Sequence, residues 1–253
     1  MNNRRHVVAV AAVVLALSGT AGAVAQEAEK SPIPGTFSAN VGITSEYFFR
    51  GLSQTDDKPA LQGGFDYEVG VGGVTPYLGV WGSNVDFSGT ESASVHGATL
   101  ELDLYGGVKG DIPGTKLGWD AGVIWYTYPG ASSSLNYDFV ELQGALSYDL
   151  GFASLGASLN YSPDNFGESG TAWYPKLSVE VPIAKIVTLS GYVAKQWIEK
   201  NDVFGQPDYK EWGLGASVNV VGFDVAVNYK DTGISGSPDG ADAAVFVTVS
   251  RSF

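Results

Sequence analysis

The sequence contains no cysteine, one methionine and two histidines. Disulfide staples are therefore excluded, and with His96 as the one histidine beyond the first residues, neither a zinc nor a haem ligand set can be assembled. Bases are also scarce, with 14 Lys and Arg against 27 Asp and Glu in 253 residues, a net charge of −13. A nucleic-acid partner is excluded by that balance, because phosphate backbones are held by basic faces. Long apolar runs are missing too: outside the N-terminus nothing approaches the roughly 18 consecutive apolar residues of a spanning helix, which excludes a polytopic helical membrane protein.

The single apolar run is an address. Arg4 and Arg5 precede the unbroken stretch Val7 to Leu17, and Ala23-Val24-Ala25 supplies a small-residue cleavage site before Gln26. A cleaved signal peptide over residues 1–25 is expected, followed by a short periplasmic segment over 26–36 and a folded domain over 37–253. Asn3-Arg4-Arg5-His6-Val7 lacks the pattern around a twin-arginine signal, which favours general bacterial secretion. Cleavage leaves 12 bases against 27 acids, a mature charge of −15.

What the chain does have is glycine, tyrosine and a period of two. In 137–150 the even positions read Val140, Leu142, Gly144, Leu146, Tyr148, Leu150, and the odd ones Glu141, Gln143, Ala145, Ser147, Asp149. The split recurs with Leu100, Leu102, Leu104 and Val108 against Glu101, Asp103, Tyr105 and Lys109, and with Phe223, Val225, Val227 and Tyr229 against Asp224, Ala226, Asn228 and Lys230. About twelve such segments, near the ten-residue length of membrane strands, predict a closed antiparallel transmembrane β-barrel of about twelve strands.

The connections alternate as well. Short turns at Gly70–Gly73, Asp111–Gly114, Leu150-Gly151, Pro182–Ala184 and Val221-Gly222 interleave with longer polar links at Gly51–Pro59, Ser88–His96, Pro129–Asn136, Pro163–Gly170, Lys200–Pro207 and Thr232–Asp239. This is the pattern of periplasmic turns and outside loops, and it places both termini in the periplasm. Aromatics fall near strand ends: Tyr47, Phe49, Trp125, Tyr128, Tyr137, Tyr161, Trp173, Trp197, Trp212 and Tyr229 towards the long links, with Phe37, Tyr67, Tyr77, Tyr105, Trp119, Tyr148, Phe223 and Phe253 towards the short turns. Two such belts are expected at two lipid–water interfaces. The last strand ends on Phe253 and resembles the signal read by the outer-membrane barrel-insertion machinery, although Arg251 departs from it.

Chemistry-bearing motifs are few. His96 beside Ser94 would suit a membrane-embedded hydrolase only if a Ser–His geometry formed, and a solvated loop residue is the simpler reading. Gly213-Leu214-Gly215-Ala216 lies inside a strand with no helix after it, so it is not a dinucleotide loop. No catalytic residue, cofactor or metal is expected. The informative surface is the wet face, with acids Glu46, Asp66, Glu68, Glu101, Asp103, Asp120, Glu141, Glu180 and Asp224 and bases Arg50, Lys109, Lys176 and Lys230. It supports either a closed interior of paired charges or a lumen of negative potential that favours cations.

Several stretches carry a family resemblance: Ser45-Glu46-Tyr47-Phe48-Phe49-Arg50-Gly51-Leu52-Ser53, Pro59-Ala60-Leu61-Gln62-Gly63-Gly64-Phe65-Asp66-Tyr67, Gly79-Val80-Trp81-Gly82-Ser83-Asn84-Val85, Tyr126-Thr127-Tyr128-Pro129-Gly130 and the terminal Ser250-Arg251-Ser252-Phe253. Over nearly the whole mature chain the sequence resembles the TorF-family porins. The resemblance implies a bacterial outer-membrane barrel. With the composition it leads to an expected passive channel for small hydrophilic solutes or ions in a Gram-negative outer membrane, preferring cations. The expected partners are outer-membrane lipids and lipopolysaccharide, the insertion machinery through Phe253, and the solutes. A closed structural or adhesion barrel is the alternative.

Overall fold

The computed structural model describes residues 34–88, 95–234 and 240–253. The expected signal peptide, most of the 26–36 segment, Ser94 and the tip of the last long link lie outside the described residues.

Among the described residues fourteen strands are formed: β1 Thr36–Thr44, β2 Phe48–Phe49, β3 Leu52–Ser53, β4 Ala60–Glu68, β5 Val74–Asn84, β6 Leu100–Asp111, β7 Leu117–Thr127, β8 Phe139–Asp149, β9 Ser154–Ser162, β10 Ala172–Ala184, β11 Val187–Ile198, β12 Tyr209–Val220, β13 Phe223–Thr232 and β14 Ala244–Ser252. Twelve of them close one antiparallel barrel, each paired with its neighbour in the chain except where β1 joins β4 on one side and β14 on the other. The closing seam matches Asn40 with Ser252 and Ile43 with Val249. Tight turns hold the short end. Between β12 and β13 the two-residue turn Val221-Gly222 has both residues at positive φ, 55° and 82°, the geometry that continues the strand twist through a two-residue hairpin.

Alternation sorts the side chains as the period of two requires. Leu61, Phe65, Leu78, Leu142, Leu177, Val193, Leu214 and Val245 stand exposed on the outside, while Gln62, Glu101, Asp103, Glu141, Gln143, Gln196, Glu211 and Lys230 are buried within. A polar interior and an apolar exterior invert the usual globular arrangement.

Two expectations are corrected. The first strand stops at Thr44, and residues 45–59 are not an outer link. They carry the hairpin β2–β3, paired Phe48 to Ser53 and Phe49 to Leu52, which turns into the barrel. Its tip, Arg50-Gly51, has φ of 50° and 75°, a two-residue turn that needs two left-handed residues and receives one from glycine. The second correction concerns the aromatic belts. Tyr47, Tyr128 and Tyr137 are buried, and with Phe49, Phe87, Phe139 and Phe166 they form a core under the long links. Tyr77 and Tyr105 also point inward, their hydroxyls donating to Asp120 at 2.8 Å and Asp66 at 2.5 Å. The outward belt retains Trp125, Trp173, Trp197 and Trp212 at one end and Phe37, Tyr148, Phe223 and Phe253 at the other.

Candidate functional site

The site is the lumen, and the inserted hairpin divides it. Towards the long links the hairpin reaches across to the far wall. Arg50 donates both to Glu141 on β8, at 2.6 and 2.7 Å, and to Gln196 on β11 at 3.0 Å. Its guanidinium lies 4.3 Å from the centre of the Tyr174 ring on β10, and the planar fork suits a carboxylate below and an aromatic face above. The pair is buried, with side-chain exposures of 8% and 1%. Tyr126 and Asn160 also donate to Glu141, so this carboxylate is fully engaged.

The backbone of the tip is fastened separately. Tyr209 donates to the Arg50 carbonyl at 2.9 Å, and the Lys230 ammonium donates to the Gly51 carbonyl at 2.9 Å while lying 4.3 Å from the Phe48 ring centre. At Gly51 an added Cβ would meet Thr232 Cγ2 at 2.6 Å, so glycine is required there for space as well as for φ. The near side is held by Tyr47, whose hydroxyl donates to Glu101 at 3.3 Å and whose ring meets Trp81 edge-on. Glu211, inward on β12, accepts from Tyr174 and Tyr192 at 2.6 Å each.

One part of this layer is unsatisfied. Asp103 is 0% exposed and neither of its carboxylate oxygens has a hydrogen-bond partner, and Glu101 has one oxygen in the same state. The hairpin brings one guanidinium to this region and Glu141 takes it.

Towards the short turns most of the inward charges are less buried, Asp120 excepted. Asp66, Glu68, Lys109, Lys176 and Asp224 are half-buried, and Glu180 is exposed. Glu68 and Lys109 form an ion pair at 2.5 Å, Lys176 lies 4.5 Å from the Tyr192 ring centre, and Asn219 donates to Asp224 at 2.8 Å. Asp120 is held by Tyr77.

The residues singled out in the sequence thus separate into two groups. Arg50, Glu101, Asp103, Glu141 and Lys230 meet at or beside the hairpin, and Asp66, Glu68, Asp120, Lys176, Glu180 and Asp224 lie further towards the short turns. Glu46 sits on the link before β2, half-buried, with Oε1 unpartnered. His96 is exposed on the long-link side. No cluster of three or more metal-ligating side chains occurs among the described residues.

The family model described as a bacterial protein of unknown function, Gcw_chp, matches residues 27–253. The chain belongs to this family. No curated protein matches it in sequence. Among solved structures, it is similar to an outer membrane channel from Pseudomonas putida F1, at 13% identity and a TM-score of 0.54, over 90% of this chain and 99% of that one. The NanC porin is similar at 10% identity and a TM-score of 0.52, covering 86% and 99%. The KdgM porin, solved in complex with disordered oligogalacturonate, is similar at 8% identity and 0.51, covering 85% and 99%. At these identities the likeness is one of fold: this Gcw_chp chain is a closed twelve-stranded antiparallel barrel of the outer-membrane porin kind.

Sequence reasoning missed the inward roles of Glu211, Gln196 and Tyr174 in this Gcw_chp barrel. All three were accessible by carrying strand parity one or two residues further, from Trp212, Trp197 and Trp173. The hairpin had no comparable local signal, because Arg-Gly is not among the dipeptides that mark a two-residue hairpin.

Proposed function

We propose that the protein is an outer-membrane, porin-like channel for passive diffusion of small hydrophilic solutes or ions, preferring cations, with the β2–β3 hairpin as its constriction. The observation that carries this reading is one closed sheet with an apolar outside and a charged inside. A bilayer covers such an exterior, and closure leaves no strand edge unsatisfied in lipid. The resemblance to TorF-family porins and the fold likeness to the Pseudomonas channel support the same reading, and the N-terminal sequence supports export to a Gram-negative envelope. Both chain ends then face the periplasm, where Phe253 is available to the insertion machinery.

Cation preference follows from the lumen's charges. The acids Asp66, Glu68, Glu101, Asp103, Asp120, Glu141, Glu180, Glu211 and Asp224 face inward against the bases Arg50, Lys109, Lys176 and Lys230. Fixed carboxylates within a low-dielectric wall concentrate counter-ions more strongly than the same charges on an open surface. Solutes entering from the periplasmic mouth meet Asp224, Glu180 and Asp66 before reaching the hairpin, and passage beyond depends on the Arg50 clamp.

A second reading, a closed structural or adhesion barrel, is favoured by the burial of the side chains around the hairpin. Planar-bilayer recording of the refolded protein separates the two. The channel reading expects cation-selective reversal potentials in a salt gradient, weaker at high salt as the Debye length falls from about 10 Å at 0.1 M to about 3 Å at 1 M. It also expects larger conductance from Arg50→Ala. Anion preference would remove the electrostatic argument, and silence from both proteins in the folded state would establish the closed barrel.

A further inference from the structure

On the outside of the barrel, near the long-link end, Lys195 of β11 lies directly opposite Lys210 of β12. Both ammoniums face outward, since their chain neighbours Ala194, Gln196, Tyr209 and Glu211 are buried inside. Like charges directly opposed across a strand pair repel. Yet in a chain of net charge −13 neither lysine has an ion-pair partner among the described residues. Asp231, on the same face of β13, is already engaged by the Tyr229 hydroxyl and the Thr232 N–H.

The surroundings are those of a membrane interface. The Lys195 ammonium lies 4.3 Å from the ring centre of Trp197, which is paired with Trp173 on β10, and Trp212 stands outward two residues beyond Lys210. Lysines on flexible stems beside indole rings can reach to a headgroup layer while their methylenes remain against the apolar wall. Two opposed lysines with no ion-pair partner among the described residues favour an external anion, and they lie in the belt that meets the outer leaflet.

We propose that Lys195 and Lys210, with Trp197, form a binding site for a phosphorylated glycolipid of the outer leaflet, of the lipopolysaccharide class, whose phosphate lies between the two ammoniums. The site rests on the membrane reading given above, and adds to it one facet of the barrel and one lipid chemistry.

The test uses the whole protein refolded into phosphatidylcholine vesicles without and with a small fraction of hexa-acylated lipid A, followed by detergent extraction and native mass spectrometry of the retained lipid. Wild-type protein is expected to retain lipid A, with about fivefold weaker retention for Lys195→Gln or Lys210→Gln and about thirtyfold for the pair, the size of one surface-lysine contribution to an anionic lipid taken once and twice. Dephosphorylated lipid A should not be retained. Lys116→Gln, at the opposite rim, should behave as wild type. Equal retention by the double variant, with the barrel shown folded by its heat-shifted gel mobility, overturns the site and leaves the channel reading standing. Displacement of lipid A by millimolar inorganic phosphate would show a free-phosphate site and also overturn it. Failure of the wild-type protein to enter either vesicle removes the membrane reading and the lipid site with it.

Discussion

The two halves of the lumen use the same residue types to opposite ends. Around the hairpin, arginine and glutamate are buried together, and Arg50 donates to both Glu141 and Gln196. In the half towards the short turns, Lys109 and Glu68 make an equally short contact with exposures of 17% and 34%. Geometry alone does not tell them apart; water does. In the packed half a lost partner leaves a stranded charge, whereas in the wet half solvent replaces it. The barrel can thus be rigid at one level and permissive at another without changing its strands.

The sharpest way to break this comparison is to remove one member of each pair. Arg50→Ala should cost roughly 3 to 5 kcal/mol of refolding stability in urea titrations, because Glu141 is left buried and uncompensated. Lys109→Gln should cost no more than about 1 kcal/mol. Similar losses from both would show that the packed half is hydrated after all.

A second contrast runs through the wall. Leu177, in the middle of β10, faces outward at 60% exposure while Asp103 of β6 faces inward, so Leu177→Arg should cost roughly 2 to 4 kcal/mol, the midplane figure for a base facing lipid. Asp103→Asn should instead raise stability by about 1 kcal/mol, since a buried carboxylate without donors opposes folding. Destabilisation by Asp103→Asn would reveal a donor or ion at that carboxylate.

Glycines give a finer comparison. Gly51 and Gly72 both have positive φ, but a Cβ at Gly51 collides with Thr232 while nothing lies within 4 Å of one at Gly72. Replacing Gly72 with alanine should cost about 1 to 2 kcal/mol, the left-handed penalty alone. Gly51→Ala should exceed that and also raise conductance, because the tip can no longer seat. Equal effects would mean that the hairpin is not held against β13.

The smallest expected effect lies outside the membrane. The Lys58 ammonium and the Ser88 N–H hold the Asp86 carboxylate down to about 2 from its ordinary 3.8. A depressed acid contributes stability above its unfolded pKa and loses it as pH falls, so Asp86→Asn should narrow the difference between refolding at pH 6 and at pH 2 to 3 without altering conductance. An unchanged acid limb would sink this assignment.

Most of the barrel was legible in the sequence, because burial that alternates at every residue writes a period of two into any strand, and twelve strands repeat it. Most turns were legible for a similar reason, since short turns have few geometries and often use glycine to reach them, but the one expected at Pro182–Ala184 falls later, at Lys185-Ile186, because β10 runs on to Ala184 without a glycine to stop it. What escaped was the hairpin, since Glu46 and Arg50 keep the polar parity of β1 and parity cannot tell a strand that runs on from one that folds back. Aromatics near strand ends were equally ambiguous. Tyr128 and Tyr137 occupy belt positions in the chain, but the links that follow curl over the lumen and bury them. Partner identities inside the lumen, such as Arg50 with Glu141, depend on distant strands meeting and leave no local trace.

The hairpin is made early in the chain and fastened late. Its tip contacts Glu141, Gln196, Tyr209 and Lys230, which lie 91, 146, 159 and 179 residues away along the chain. Non-local contacts of this kind form only after the intervening chain has been ordered. Until β11 to β13 are in place the tip has Glu141 of β8 alone among these four partners, so a barrel caught in mid-assembly would leave the hairpin incompletely seated and its lumen less constricted. Completion of the wall and narrowing of the passage are then a single step, and an incomplete barrel is a leak that its own last strands constrict.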